Sequence, residues 1–370
     1  MSPAPFEIFL VATPGLEAPL AEEARDAGFE GAEVVEGGVV FSGTWPDVWR
    51  ANLCLRGATR ILARVAAFRA LHLAQLDKRA RKLDWASMLR PDIPVHVEAS
   101  CKRSRIYHAG AAAQRVARAI AETIGAPIAE DAPLRVMVRI EDDLVTVSLD
   151  TTGASLHKRG FKEAVSKAPL RETMAAMFLR QCGYRGAEPV LDPMCGSGTF
   201  PIEAAEIALG LLPGRARHFA FEHLPGFDPA AWARLRSPPP PQSTPLFFYG
   251  ADRDAGAIRM AGENADRAGV AALTRFNQQP IEELTPPPGP PGLVIVNPPY
   301  GARIGSKGPL IGLHRALGNV LKARFGGWRV GIVTADKQLA QATGLDFEPM
   351  QPPVLHGGIR VALYRTAPLP

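Results

Sequence analysis

The sequence has few cysteines and no long apolar segment. Its four cysteines, Cys54, Cys101, Cys182 and Cys195, are isolated from one another and lack metal-ligand spacing. This fits a reducing cytosol and gives no sign of a metal site. No apolar run approaches the roughly 20 residues that a membrane-spanning helix needs. The N-terminus already carries Glu7 and lacks the basic flank and apolar core of a signal peptide. We therefore expect a cytoplasmic protein that is not bound to a membrane.

Positively charged residues are scarce at the N-terminus and abundant just after it. Residues 1–44 contain one Lys or Arg and eight Asp or Glu, whereas residues 45–167 contain 21 and 13. The second block therefore has a net charge of +8, while the whole chain has +5. A basic block predicts a polyanionic partner, although a solvated arginine-rich surface gives the same composition.

The N-terminal half shows the pattern of two small α+β units. Residues 6–11 alternate as a strand, 16–27 have helical spacing, 34–35 and 39–41 form a hairpin, and a second helix runs from Trp45 to about Leu55. This order predicts a ferredoxin-like unit. A second unit combines a strand at 94–99, a helix at 110–124 and a hairpin of strands 135–140 and 144–149.

From about Leu170, helices alternate with apolar strands, which is typical of a parallel sheet. We predict strands at 188–192, 246–252, 270–276, 293–296 and 328–334, helices at 169–181, 200–209, 254–268 and 309–324, and a terminal hairpin. The fold class is therefore α/β: a C-terminal domain with a mostly parallel sheet and a terminal antiparallel hairpin, preceded by small α+β units.

The first C-terminal strand leads into a glycine-rich turn and a helix, with the sequence Asp192-Pro193-Met194-Cys195-Gly196-Ser197-Gly198-Thr199. Glycines let the backbone pass close to a ligand, and the helix N-terminus offers N–H groups to it. This pattern also fits nucleotide and dinucleotide sites. Asp252 ends the next strand, where a carboxylate can accept hydrogen bonds from both hydroxyls of a ribose. Together they predict an adenosine-containing cofactor. The absence of a Gly-Lys-Ser/Thr phosphate loop argues against phosphoryl transfer.

The buried strand at 293–296 ends in Asn297-Pro298-Pro299-Tyr300. The two prolines fix φ and supply no N–H, so they form a rigid corner. An amide, a carbonyl and an aromatic ring at such a corner are suited to hold a planar molecule.

A basic loop, Ser100 to His108, precedes the helix at 110–124. Its cations and the helix N-terminus are suited to bind phosphates. We predict RNA contacts at Lys102, Arg103, Arg105 and His108; a solvated loop is the alternative.

Several motifs resemble those of a known family. Asp192 to Thr199 followed by Asn297 to Tyr300 resembles class I S-adenosylmethionine-dependent methyltransferases that act on exocyclic base amines. The segments 168–173 (APLRET), 219–222 (FAFE) and 297–303 (NPPYGAR) are similar to those of THUMP-domain RNA guanine-N2 methyltransferases, especially the bacterial 23S rRNA (RlmL-like) type.

This resemblance implies a Rossmann-like methyltransferase domain over 156–370, an RNA-binding THUMP domain over 56–155 and a ferredoxin-like unit over 1–55. It implies S-adenosyl-L-methionine as cofactor, RNA as partner and no metal. In this reading Asn297 Oδ1 and the Pro298 carbonyl accept the hydrogens of the guanine 2-amino group, and Tyr300 stacks on the base, which is worth about 1–3 kcal/mol. The cofactor would contact residues 192–199 together with Asp252, Arg253 and Gln279, the last in place of an aspartate that relatives often have.

Other functions fit parts of the pattern. A tRNA guanine-N2 methyltransferase would have the same architecture, and DNA adenine-N6 methyltransferases use a similar corner. A non-catalytic RNA-binding ribosome-assembly factor with a vestigial cofactor site is a third alternative. The intact Asp192, Gly196, Gly198 and Asn297 argue against the last of these.

Overall fold

The computed structural model describes residues 5–163, 170–237, 243–299 and 307–370. They form two compact units. The N-terminal unit contains the described residues up to Ala12 together with Ala21–Leu156 and Arg217–Ser237. The C-terminal unit contains Thr13–Leu20, His157–Ala216 and the described residues after Ser237. The boundaries at 55 and 155 inferred from the sequence stay predictions.

Residues 5–150, the described part of this half, contain seven strands and five helices. They are β1 (Phe6–Val11), α1 (Glu17–Asp26), β2 (Glu33–Val35), β3 (Gly38–Gly43), α2 (Trp45–Cys54), β4 (Arg60–Arg69), α3 (Leu73–Ala80), α4 (Trp85–Met88), β5 (Val95–Lys102), α5 (Ala109–Ile124), β6 (Leu134–Glu141) and β7 (Leu144–Asp150). The strands form one sheet in the order β2-β3-β1-β4-β7-β6-β5. Every element predicted in this half is present.

The sequence did not reveal β4, which joins the two predicted α+β units. It pairs antiparallel with β1 on one side and with β7 on the other. Its alternation is obscured because the register shifts between Arg64 and Ala66, and such a bulge interrupts the period of two. The predicted ferredoxin-like unit and the unit after it therefore share a continuous sheet.

A later segment, residues 217–237, completes the N-terminal unit; we call it the aromatic insert. It contains a 3-10 turn at Ala220–His223 and helix α8 (Pro229–Arg236). The Phe221 N–H donates to the Thr151 carbonyl at 3.0 Å. The ring of Phe221 stacks at 5.3 Å on Phe219 and meets Trp232 edge-on at 5.0 Å, with Trp49 of α2 stacked at 6.0 Å. These aromatic rings bury the insert against α2.

The C-terminal unit contains the second seven-stranded sheet. Its elements are α6 (Glu172–Gln181), β8 (Val190–Asp192), α7 (Thr199–Ala208), β9 (Phe248–Asp252), α9 (Ala255–Ala268), β10 (Thr274–Gln278), β11 (Leu293–Val296), α10 (Lys307–Arg324), β12 (Arg329–Thr334), α11 (Lys337–Ala342), β13 (Val354–His356) and β14 (Ile359–Arg365), with 3-10 turns at Ala271–Leu273 and Ile281–Glu283. The strand order is β10-β9-β8-β11-β12-β14-β13.

The topology confirms the predicted Rossmann-like class. Pairing is parallel from β10 to β12, and β14 pairs antiparallel with both β12 and β13. The chain order reverses at β8, which has β9 on one side and β11 on the other. Ligands of such sheets bind beyond the carboxyl ends of the strands at this reversal. Asp192 and Asn297 lie there, at the ends of the neighbouring strands β8 and β11.

One predicted strand was misplaced. The span 270–276 begins with a 3-10 turn, and β10 runs from Thr274 to Gln278 instead. Val270 and the apolar residues of the turn suggested a strand, but the chain is still turning after α9 ends at its glycine cap, Gly269. Helices α3, α4, α8 and α11 were not predicted. None of the described helices is long and apolar enough to cross a membrane.

Candidate functional site

The turn between β8 and α7 is held by hydrogen bonds to its own strand and to β9. Asp192 is buried, and its Oδ1 accepts from the Met194 N–H at 3.0 Å. The Cys195 N–H donates to the Ala251 carbonyl at 2.9 Å, and the Gly196 N–H donates to Asp252 Oδ2 at 3.0 Å. The predicted glycine-rich turn of residues 192–199, which we call the cradle, is therefore brought together with Asp252.

Two glycines are needed for this close packing. Gly198 caps α7 with φ of +82°, and a Cβ there would lie 3.0 Å from the Ala261 Cβ and 3.2 Å from the Phe276 ring. A Cβ on Gly250 of β9 would lie 2.6 Å from the Phe276 ring and 2.9 Å from Cys195 Sγ. Larger residues at either position would displace the turn.

Burial raises the pKa of two side chains in the turn, Asp192 and Cys195. It raises the pKa of Asp192 well above its ordinary value, and Asp252 adds to this effect. Burial, Asp192 and Asp252 together raise the pKa of the Cys195 thiol well above its usual range. A nucleophilic cysteine needs a depressed pKa, so the buried Cys195 side chain is suited to form part of the wall of the turn and not to act as a nucleophile.

The corner after β11 contains an unusual acceptor. Asn297 is half-buried, yet its Oδ1 is buried and has no hydrogen-bond partner among the residues that the structure describes. Leaving such a group unpaired costs about 1–3 kcal/mol. Pro298 is buried beside it. Tyr300, which was predicted to stack on the base, lies outside the described residues.

The other predicted cofactor residues have varied surroundings. Pro193 and Ser197 are buried, and the Ser197 carbonyl accepts from Asn264 Nδ2 at 3.0 Å. Arg253 is exposed. The Gln279 N–H donates to the Asp252 carbonyl at 3.0 Å, which fixes the chain just beyond β10.

Two polar residues at the turn were not singled out from the sequence. Asn264 is fully buried on the face of α9 that otherwise carries alanines, and an amide on a buried face could have signalled a bond to a loop. Lys162 Nζ lies 2.9 Å from Thr199 Oγ1 at the start of α7. No local pattern identifies Lys162, because its partners are distant in sequence.

The terminal hairpin carries His356 at the end of β13. Its Nδ1 is buried and has no hydrogen-bond partner among the described residues. Burial and the nearby Arg171 guanidinium lower the pKa of His356, so the ring is neutral near pH 7. Among the described residues no group of three or more His, Cys, Asp or Glu side chains could hold a metal ion.

In the N-terminal unit, the predicted phosphate-binding loop is partly neutralised. Lys102 Nζ lies 2.6 Å from Glu36 Oε1, and the Arg103 guanidinium lies 2.7 Å from Glu141 Oε1 and 3.1 Å from Asp142 Oδ1. These ion pairs raise the pKa of Lys102 and Arg103. The two cations are therefore less available to RNA than the sequence suggested.

The rest of the loop is differently arranged. His108 caps α5, because its Nδ1 accepts from the Ala111 N–H at 3.0 Å, so the helix N-terminus already has one partner. Arg105 is exposed, and Tyr107 is 85% exposed. An exposed cation beside an exposed aromatic ring is a common arrangement for binding single-stranded nucleic acid.

Comparison with known families identifies the chain. The family described as "RMKL-like, methyltransferase domain" matches residues 159–355, which include the cradle, Asp252 and the corner. The chain belongs to this family. A second family, described as "RlmL ferredoxin-like domain", matches residues 7–62, which confirms the resemblance seen in the sequence.

Relatives of this RMKL-like protein extend the match to nearly the whole chain. It is 34% identical over 344 residues to ribosomal RNA large subunit methyltransferase K/L of Vibrio campbellii, covering 89% of this chain and 49% of the relative. The chain thus spans about half the length of the curated relatives it matches.

Solved structures give the same fold. SMU.472, whose crystal structure contains SAH, is 28% identical with a TM-score of 0.90 over 100% of this chain and 99% of its own. A protein from Listeria monocytogenes, named as a predicted N6-adenine-specific DNA methylase, is 30% identical with a TM-score of 0.87 over 97% of this chain and 96% of its own.

Proposed function

We propose that the chain transfers a methyl group from S-adenosyl-L-methionine to the exocyclic N2 amine of a guanine in RNA, most specifically in 23S rRNA. The observation that carries this proposal is the buried Oδ1 of Asn297 at the switch point of the sheet, which has no hydrogen-bond partner within the described part of the chain. A buried acceptor without a partner suits a site completed by a substrate N–H. The names of the Vibrio relative, an rRNA methyltransferase, and of the SAH complex support the substrate and the cofactor.

The residues present fit an adenosine-containing cofactor. Each oxygen of the Asp252 carboxylate accepts one backbone N–H at 3.0 Å, from Gly196 to Oδ2 and from Asp254 to Oδ1. A carboxylate has about four acceptor sites, so Asp252 retains capacity for the two hydroxyls of a ribose. Bound S-adenosylmethionine would supply a methyl group on a positively charged sulfur, which is a strong electrophile.

The corner then has to orient the amine. The lone pair of a guanine 2-amino group is delocalised into the ring, which makes the amine a poor nucleophile. Acceptance of its two hydrogens by Asn297 Oδ1 and the Pro298 carbonyl would favour a pyramidal nitrogen directed at the methyl group. Because the methyl donor is already reactive, such positioning supplies much of the rate. We assign stacking on the base to Tyr300, on its sequence alone.

RNA delivery is assigned to residues 56–155 of the N-terminal unit as a THUMP domain. Exposed Arg105 and Tyr107 support this assignment, with Lys102, Arg103 and His108 nearby in the same loop. A base within a helix would have to be flipped out of its stack, at a cost of a few kcal/mol.

The test is to incubate the full chain with tritiated S-adenosylmethionine and rRNA from a strain that lacks the protein. The label should appear in N2-methylguanosine. The name of the Listeria protein favours DNA adenine as a second candidate, so DNA and tRNA serve as competing substrates. Label confined to adenine in DNA would refute the proposal, and label confined to tRNA would refute the rRNA assignment.

A further inference from the structure

Lys162 has an unusually complete set of partners beside the cofactor turn. Its ammonium lies 2.9 Å from Thr199 Oγ1, 3.1 Å from the Leu170 carbonyl oxygen and 3.1 Å from Glu172 Oε1. The side chains of Lys162 and Glu172 are only 10% and 7% exposed. A lysine ammonium has three donors and no acceptor, so these contacts use all three N–H groups. Lys162 has no donor left for a ligand.

The bond from Lys162 fixes the role of the Thr199 hydroxyl. Lys162 can only donate, so Thr199 Oγ1 is the acceptor and its own proton is free to be donated to another group. Thr199 is the first residue of α7, whose cap, Gly198, has no side chain. The first N–H groups of a helix lack partners within the helix. The hydroxyl proton therefore lies at a helix end that already favours an anion.

A purely structural role for Lys162 is poorly supported. The segment that contains Lys162 is already attached to α7 by the Arg159–Glu203 ion pair at 3.3 Å, in which both side chains are 1% exposed. Arg267 Nε also donates to the Phe161 carbonyl at 2.8 Å. A third tie by another buried ion pair adds little stability, because desolvation offsets the attraction between the charges.

We propose that Lys162 is a positioning residue that holds the Thr199 hydroxyl as a donor to the carboxylate at the amino-acid end of the cofactor. This inference rests on the proposed function. Glu172 keeps the ammonium in place and balances its charge, so the carboxylate meets a neutral, directed donor rather than a mobile cation.

The test compares two ligands by isothermal titration calorimetry on the full chain. S-adenosylhomocysteine contains the carboxylate, whereas 5′-methylthioadenosine shares the nucleoside and the thioether but lacks the amino-acid end. Thr199→Val and Lys162→Gln should each lower the affinity for S-adenosylhomocysteine about tenfold. This is the scale of one hydrogen bond to a charged group. The affinity for 5′-methylthioadenosine should change less than twofold, and Thr199→Ser should restore binding.

Three further variants make the test specific. When Lys162→Gln is added to Thr199→Val, the affinity for S-adenosylhomocysteine should fall no further, because the two residues act through one hydrogen bond. Lys162→Gln combined with Glu172→Gln leaves no lone buried charge and should give the same ligand selectivity if the single variant does not fold. Lys158→Gln removes the same charge from an exposed position in the same segment and should bind both ligands like wild type.

Equal losses of affinity for both ligands would overturn the inference, and so would additive losses of affinity when Lys162→Gln is combined with Thr199→Val. Either result would leave the proposed function intact. Wild-type protein that binds neither ligand would refute the proposed function and this inference with it.

Discussion

Replacement of Asn297 by alanine should separate stability from activity. Its Oδ1 is buried and has no partner in the described ranges 5–163, 170–237, 243–299 and 307–370, so the ligand-free protein bears the cost of an unsatisfied acceptor, about 1–3 kcal/mol. Removal of the amide relieves that cost and loses only a few contacts of a small side chain. We therefore expect the free energy of unfolding of Asn297→Ala to equal or exceed that of wild type.

The same substitution should sharply slow methyl transfer. Loss of one preorganised hydrogen-bonding group at a reacting centre costs about 10²–10³ in kcat. Single-turnover transfer of a tritiated methyl group to rRNA measures this loss, filter binding measures RNA affinity, and urea unfolding measures stability. We expect RNA affinity close to that of wild type, because one amide at the corner contributes little to binding of the whole RNA.

Two variants serve as controls. Asn297→Asp keeps an acceptor oxygen at the corner and should retain more activity than Asn297→Ala. Asn277→Ala changes an exposed asparagine of β10 in the same sheet and should alter neither property. If Asn297→Ala loses more than about 2 kcal/mol of stability, or loses RNA affinity in parallel with activity, the amide is a structural group and the reasoning fails.

Three other experiments test separate parts of the structure. Asp252→Ala should lower the affinity for S-adenosylhomocysteine, measured by calorimetry, about tenfold to hundredfold. Asp254→Ala removes the cap of α9, so it should cost about 0.5–2 kcal/mol of stability and leave that affinity unchanged. The reverse pattern would contradict the ribose assignment. Phe221→Ala should lower the free energy of unfolding by about 3–5 kcal/mol in urea titrations followed by tryptophan fluorescence, and a loss below about 1 kcal/mol would show that the aromatic insert is not well packed. Iodoacetamide at pH 8 should label Cys101 before Cys195 in peptide mapping, because burial raises the pKa of Cys195 well above its usual value and leaves little thiolate; faster labelling of Cys195 would contradict this protonation state.

Local patterns predicted the elements that carry the site. The strand at 293–296 and the turn from Asp192 to Thr199 were identified because buried runs, glycines and prolines act over a few residues. The hydrogen bond from Gly196 to Asp252 followed in outline from strand order, since parallel strands bring their carboxyl ends to one edge.

Contacts between distant residues were not predictable in this way. Lys162 reaches Thr199 across 37 positions, and nothing in either local sequence indicates the other. The neutralisation of Arg103 by Glu141 and Asp142 depends on the register of β5 and β6. Counts of charge predicted a basic loop but not the carboxylates that fold against it.

The aromatic insert has a consequence for how the protein is made. The sequence of the N-terminal unit is interrupted, since residues 157–216 belong to the other unit and residues 217–237 return to the first. At about 5–20 residues per second, translation of residues 157–216 takes roughly 3–12 s. During this time Trp49 cannot pack against Phe221 and Trp232, because they have not yet been synthesised. A nascent chain in this interval exposes an apolar surface that only later sequence can cover. We expect this to be the period in which the chain depends most on chaperones.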